Sequence, residues 1–179
     1  MVEDAGEFLL TDTLKIGFVW HDCKEIASIE DILVAIALET LKKCEVQNGN
    51  ASLVLTDDNT IRNLNKIHRG LDEITDVLSF SNKFHGEYYG QEANLKSMSS
   101  MDAFILPPGE PDHIGEVVVC LPQAKRQSKL ESNGIRLELS KLVAHGFLHL
   151  LGYDHVENQE RELMEQLEAD ILGKVGQNV

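Results

Sequence analysis

The chain has 179 residues, enough for one domain that buries a real core without staples. Its 42 % hydrophobic and 26 % charged residues are ordinary for a soluble globular protein, and no apolar run approaches the ~18 residues of a membrane span. The formal net charge of −14 argues against broad, non-specific nucleic-acid binding, because counterion release needs Lys and Arg.

The start, Met1-Val2-Glu3-Asp4, lacks the basic and apolar regions of a signal peptide. Cys23, Cys44 and Cys120 are scattered and form no Cys-x-x-Cys pair, as expected of reduced thiols in the cytoplasm. Leu14 to Trp20 alternates Leu14, Ile16, Phe18 and Trp20, which predicts a half-buried strand. Ser28 is placed to cap a helix whose Ile29, Ile32, Leu33, Ile36, Ala37 and Leu41 trace one stripe. After the turn Gln47-Asn48-Gly49-Asn50, Ala51 to Leu55 reads as a second strand. Thr56 or Asp57 then caps a short helix to about Asn65.

Asp76 to Phe80 reads as a third strand and Gly115 to Leu121 as a fourth. Between them, 82–113 is long and irregular, with Gly86, Gly90, Pro107, Pro108 and Pro111. It is expected to be a mobile surface insertion inside a single domain spanning 1–179. Pro122 suits the first turn of a helix to about Ser132, and Asn133-Gly134 breaks the chain before a long helix, Ile135 to Leu151. A last amphipathic helix, about Glu157 to Leu172, packs Leu163, Met164, Leu167 and Ile171. Its Glu157, Glu160, Glu162, Glu165 and Glu168 read as a solvated face. The expected fold is α+β: about four strands in one mixed sheet, covered by about five helices.

The chemistry concentrates in His145-Gly146-Phe147-Leu148-His149-Leu150-Leu151-Gly152-Tyr153-Asp154-His155. Residues four apart share a helix face, so His145 and His149 can aim at one spot. Gly152 is suited to stop the helix, and the returning chain can bring in His155. Three imidazoles with one position open are how a catalytic zinc-type site is built. Metzincin proteases use the same His spacing, but they place their general-base Glu where this chain has Gly146. Asp76 and Glu116 lie on strands that can approach the site, as a base, as partners fixing an imidazole tautomer, or simply as turn acids.

Basic residues are local: Lys125, Arg126, Lys129, Arg136 and Lys141 in one stretch, Arg62, Lys66 and Arg69 in another. A lone loop arginine is usually just exposed. If Arg69 faces the metal, its planar fork suits a phosphodiester better than a peptide carbonyl.

Two segments together resemble the YbeY family of rRNA maturation factors, which are metal-dependent endoribonucleases. His-Gly-x-Leu-His-Leu-x-Gly-Tyr-Asp-His stands without departure at His145 to His155. Leu-Asn-x-x-x-Arg and Thr-Asp-Val-Leu-Ser-Phe stand at Leu64 to Arg69 and Thr75 to Phe80, and Gly115-Glu116-Val117 matches a third, strand segment. The likeness runs from about residue 50 to the end. It implies that His145, His149 and His155 hold one metal ion, usually zinc, with another divalent transition metal as the alternative. It implies that Arg69 serves RNA binding or catalysis; Glu116, read from its place on a strand that can approach the site, is the second candidate catalytic residue. The implied substrate is single-stranded ribosomal RNA, cut in small-subunit 3′-end maturation and ribosome quality control. The implied partner is the small ribosomal subunit or its proteins, and no membrane. The alternative is an assembly partner that binds RNA around a mainly structural metal. His68, Ile74, Glu116 and the long insertion depart from the family pattern; none touches the three histidines.

Overall fold

The structure is a computed structural model, and it describes residues 6–9, 14–23, 26, 28–82, 112–131, 134–154 and 158–176. Alternation does what it should in the first half of the chain: Leu14, Ile16 and Phe18 are buried while their neighbours are only half covered. The short strand β1 (Gly6–Leu9) pairs antiparallel with β2 (Leu14–Trp20). Helix α1 (Glu30–Lys43) crosses over to β3 (Gly49–Thr56), which lies parallel to β2 from Leu14↔Gly49 to Trp20↔Leu55. Helix α2 (Asp58–Arg69) leads to β4 (Val77–Ser81), and β5 (His113–Cys120) inserts between β3 and β4. β5 is parallel to β3 and antiparallel to β4, so the sheet is mixed, in the order β1-β2-β3-β5-β4.

Three helices complete the chain: α3 (Leu121–Leu130), α4 (Ile135–Leu150) and α5 (Asn158–Gly176). α1, α4 and α5 pack together on one face of the sheet. Their core holds Ile16, Leu33, Leu53, Val117, Val143, Phe147 and Ile171, each at most 1 % exposed. α2 covers the other face at the β4 end, where Ile61 and Leu64 meet Leu78, Phe80 and Cys120. At about 25 cal/mol per Å² of apolar surface, these two clusters supply the dominant favourable term.

The α+β class, the five helices and the single mixed sheet built on the four expected strands are as expected, and the short β1 joins as a fifth strand at the edge. β1 adds an edge that its four residues do not announce. α2 runs to Arg69 rather than stopping near Asn65. Asp57 caps it, accepting from the backbone N–H of Thr60 at 2.8 Å, and Gly70 ends it at φ +72°. Ser28 does not cap α1. It sits at φ +59°, and Ile29 takes the N-cap position without a side-chain bond. Of the proposed 82–113 insertion, 83–111 lie outside the described residues. Among the described residues no helix is long and apolar enough to cross a membrane.

Candidate metal centre

α4 lies unusually close to the sheet because of Gly146. A Cβ there would sit 2.6 Å from Val117 Cγ1 and 3.0 Å from Val77 Cγ2. The Ser79 hydroxyl donates to the Gly146 carbonyl at 2.8 Å, tying helix to edge strand. The place where a metzincin carries its base is therefore filled by the sheet, and no side chain fits.

Beside this contact, one residue before Gly146 and three after it, His145 and His149 face each other, ring centroids 4.5 Å apart and nearly perpendicular. Each Nδ1–H is donated to an acceptor that cannot donate in return. His145 Nδ1 gives its proton to Glu168 Oε1 at 2.7 Å, and His149 Nδ1 gives its proton to the Tyr153 carbonyl at 2.9 Å. Both neutral rings are thus held in the tautomer that leaves a lone pair on Nε2. The two Nε2 atoms stand 3.0 Å apart. Two facing lone pairs repel at that distance, and a cation between them turns repulsion into attraction. Bonds of about 2.0–2.1 Å to zinc span such a gap with a bent angle. The donor set fits a divalent ion.

The local sequence explains the second acceptor. α4 ends with Leu151 as its cap and Gly152 at φ +89°. Gly152 N–H bonds the His149 carbonyl at 3.0 Å and Tyr153 N–H bonds the Leu148 carbonyl at 3.1 Å. This double closure is the Schellman turn, and it delivers the Tyr153 carbonyl to His149. The Tyr153 side chain is in turn bonded to Cys44 at the end of α1; that bond raises the phenol, and burial raises the Cys44 thiol. His155 lies outside the described residues, and among the described residues no three His, Cys, Asp or Glu side chains form a group that could hold a metal ion by themselves.

Arg69 and Glu116 lie elsewhere. On β4 and β5, Ser79 and Val117 face α4, so the directly opposed pair Phe80↔Glu116 faces the α2 side. There His68 stacks edge-on against Phe80, centroids 4.8 Å apart. The Glu116 carboxylate accepts from His113 Nε2 at 2.6 Å, while His113 Nδ1 bonds Asn50 Oδ1, also at 2.6 Å. Arg69 is the last residue of α2, between the buried line of Ile61 and Asn65 and the exposed line of Arg62 and Lys66. Its Nε is buried and has no hydrogen-bond partner among the described residues. The structure brings His145 and His149 together and sets Arg69 and Glu116 across the edge strand from them.

Asp76 is a turn acid. Its Oδ1 accepts from the Val77 N–H and the Thr75 hydroxyl, and its Oδ2 from Gln127 Nε2 at 2.9 Å. The basic groups are partly spent on the protein itself. Arg126 forms a two-pronged pair with Asp58, holding that carboxyl below the usual range. Arg62 and Lys66 both pair with Asp72. The Cys120 thiol, pushed up to about 12 chiefly by burial, is no nucleophile.

Residues 20–176 match the family model for endoribonuclease YbeY. The chain belongs to the YbeY family. An endoribonuclease YbeY of Dehalococcoides mccartyi (strain 195) is 42 % identical over 126 residues, covering 70 % of this chain and 69 % of that one. The endoribonuclease YbeY of Desulforamulus reducens is 34 % identical over 164 residues, covering 88 % and 96 %. The solution structure of TM1509 from Thermotoga maritima covers 90 % of this chain and 93 % of its own, with a TM-score of 0.53. At 22 % identity it shows a shared fold. The YbeY match begins at the last residue of β2 and takes in both sides of the edge strand, with Arg69, Glu116 and all three histidines. It also takes in Glu168, which the charge pattern of α5 puts on a solvated face and the structure turns towards His145. The signal was there: Glu168 interrupts the buried line Met164, Ile171, Val175 at helical spacing.

Proposed function

We propose that this YbeY-family protein is a metal-dependent endoribonuclease acting in the cytoplasm on single-stranded RNA, with the 3′ end of small-subunit ribosomal RNA as substrate and the small subunit or its proteins as partner. The observation that carries the metal is the pair of imidazoles that give both Nδ1 protons away and face each other through Nε2 at 3.0 Å. His145, His149 and His155 are the proposed ligands of one ion, taken as zinc. When bound, such an ion supplies a Lewis acid for a phosphate oxygen and lowers the pKa of water towards about 7.

The protein's own residues do the rest. Glu168 and the Tyr153 carbonyl hold the two rings in the ligating tautomer. Arg69 receives the phosphodiester: its Nε has no hydrogen-bond partner among the described residues, and an unmet buried donor costs about 1–3 kcal/mol, so a rearrangement of the side chain onto a phosphate is favoured. Its fork then spreads over two phosphate oxygens and positions the RNA strand at the sheet edge, on the side of β4 opposite the histidines. Glu116 enters as a group on the RNA side of β5, holding His113 towards Asn50.

The test combines metal analysis of the purified protein with cleavage of a single-stranded RNA carrying the ribosomal 3′ sequence. His149→Ala should lose both metal and cleavage. Arg69→Ala should keep its metal and lose about 10²-fold in rate, the usual size of a misplaced substrate. Full cleavage by both variants would overturn the proposal. Metal-replete, folded protein that binds small subunits yet cuts no RNA would favour the assembly-partner role.

A further inference from the structure

The geometry points to Glu168 as a positioning residue of the metal centre: its carboxylate, carried on α5, fixes the tautomer and direction of His145. This rests on the metal reading above and extends it to a residue outside the histidine motif.

Three observations carry it. Glu168 Oε1 accepts the Nδ1 proton of His145 at 2.7 Å, a short, charge-assisted bond. The bond crosses between helices, so it sets the direction of a ring that α4 alone would leave free to turn. Second, Glu168 sits where the helix asks for an apolar residue. Met164, Ile171 and Val175 lie on the same line of α5 and are 2 %, 1 % and 8 % exposed, while Glu168 itself is only 24 % exposed. Packing would be served as well by Leu or Met; partial burial of a carboxylate has a desolvation cost. Third, the remaining glutamates of that helix, Glu160, Glu162 and Glu165, are exposed, so Glu168 is distinguished by where it points.

The two rings are then held by unlike devices. His149 uses a carbonyl supplied by its own helix end, and His145 uses a carboxylate supplied by another helix. A carboxylate behind a ligating imidazole raises its basicity as well as orienting it, and removing such partners typically weakens metal binding about 10–100-fold.

The experiment uses the full chain as Glu168→Gln, Glu168→Met and, for reference, His145→Ala. In metal-free protein, imidazole nitrogen chemical shifts report the tautomer directly. His145 should be in its Nδ1–H form in the wild type and in Glu168→Gln, whose amide oxygen can still accept. In Glu168→Met it should shift towards the Nε2–H form that dominates in a free histidine side chain. Zinc titration against a competing chelator should show Glu168→Met weakened about 10–100-fold, Glu168→Gln weakened less, and the apoprotein of Glu168→Met at least as stable as wild type. An unchanged tautomer and unchanged zinc affinity in Glu168→Met would overturn the inference. If Glu168→Met does not fold, equal behaviour of Glu168→Gln and a Glu168→Ala variant would do the same. Failure of the metal reading is separable: His145→Ala would then bind zinc as well as wild type.

Discussion

His149 gives its Nδ1 proton to the carbonyl of Tyr153, the residue just beyond the glycine that ends its own helix. The helix stop and the orientation of a proposed ligand are therefore one device. Gly152 at φ +89° makes it possible, since a Cβ in that region costs about 1–2 kcal/mol. Gly152→Ala should lower stability by about that amount in denaturant titrations of the metal-free protein. If the turn relaxes, the Tyr153 carbonyl moves, and zinc affinity should fall as well. A stability loss with unaltered zinc affinity would show that the carbonyl does not hold the ring.

The missing peptidase base has a packing cause. With a Cβ at 2.6 Å from Val117 Cγ1, Gly146→Ala should cost about 1–3 kcal/mol, the usual range for overpacking a dense core. Val117→Ala should recover part of that loss in the double variant, because the clash is with that methyl. A double-mutant cycle in urea measures the coupling; additive losses would mean the helix shifts without touching Val117. Gly146→Glu should not fold, so no simple substitution converts this site to a peptidase.

How much of this was legible beforehand depends on which interactions are local. The His145–His149 pairing, the stop at Gly152, the cap at Asp57 and the alternation in β2 are all written within a few residues, and each was readable. Glu116 was not placed correctly relative to the histidines, because strand parity becomes a direction only once β5 is registered against β4. Phe80↔Glu116 and Ser79↔Val117 decide the face, and that register spans an insertion. α2 outran its expected end because Asn, Lys, His and Arg between Leu64 and Gly70 look like loop; the α2 stop is Gly70. β1 has too few residues to show a period. Glu168 was misread for a different reason: on a helix rich in glutamate, the one that breaks the apolar line is easily counted with the rest.

A pH dependence follows from Asp58. Arg126 holds its carboxyl below the ordinary value, chiefly through the two-pronged hydrogen bond. A depressed folded value means the pair stabilises the fold above the unfolded carboxylate pKa of about 3.9, and that this stabilisation disappears as pH falls through the folded value. Both side chains are about a third to a half exposed, so solvent screening limits the pair to about 0.5–1 kcal/mol at neutral pH. Asp58→Asn should therefore be less stable than wild type near pH 7, and the gap should close on acidification to about pH 2. A gap that persists there would assign the loss to the helix start or to the Cys120 contact instead.

Asp72 sets how much positive charge α2 can offer to RNA. Arg62 and Lys66, one turn apart on the exposed side of α2, are both paired to its carboxylate, at 2.7 and 2.8 Å. Either cation must leave Asp72, or share it, before it can neutralise a phosphate. Asp72→Ala removes that competition while leaving the core untouched, since Asp72 is about half exposed. RNA affinity at low salt should rise. For single strands the slope of log K against log salt changes by about 0.7 per neutralised phosphate, so two freed cations should steepen it by about 1.4. The same change should appear for any single-stranded sequence, because a phosphate contact carries no base information. Filter binding of two unrelated RNAs between low and moderate salt measures both quantities. An unchanged slope would place Arg62 and Lys66 outside the RNA path, and it would leave Arg69 as the cation of α2 that meets the substrate.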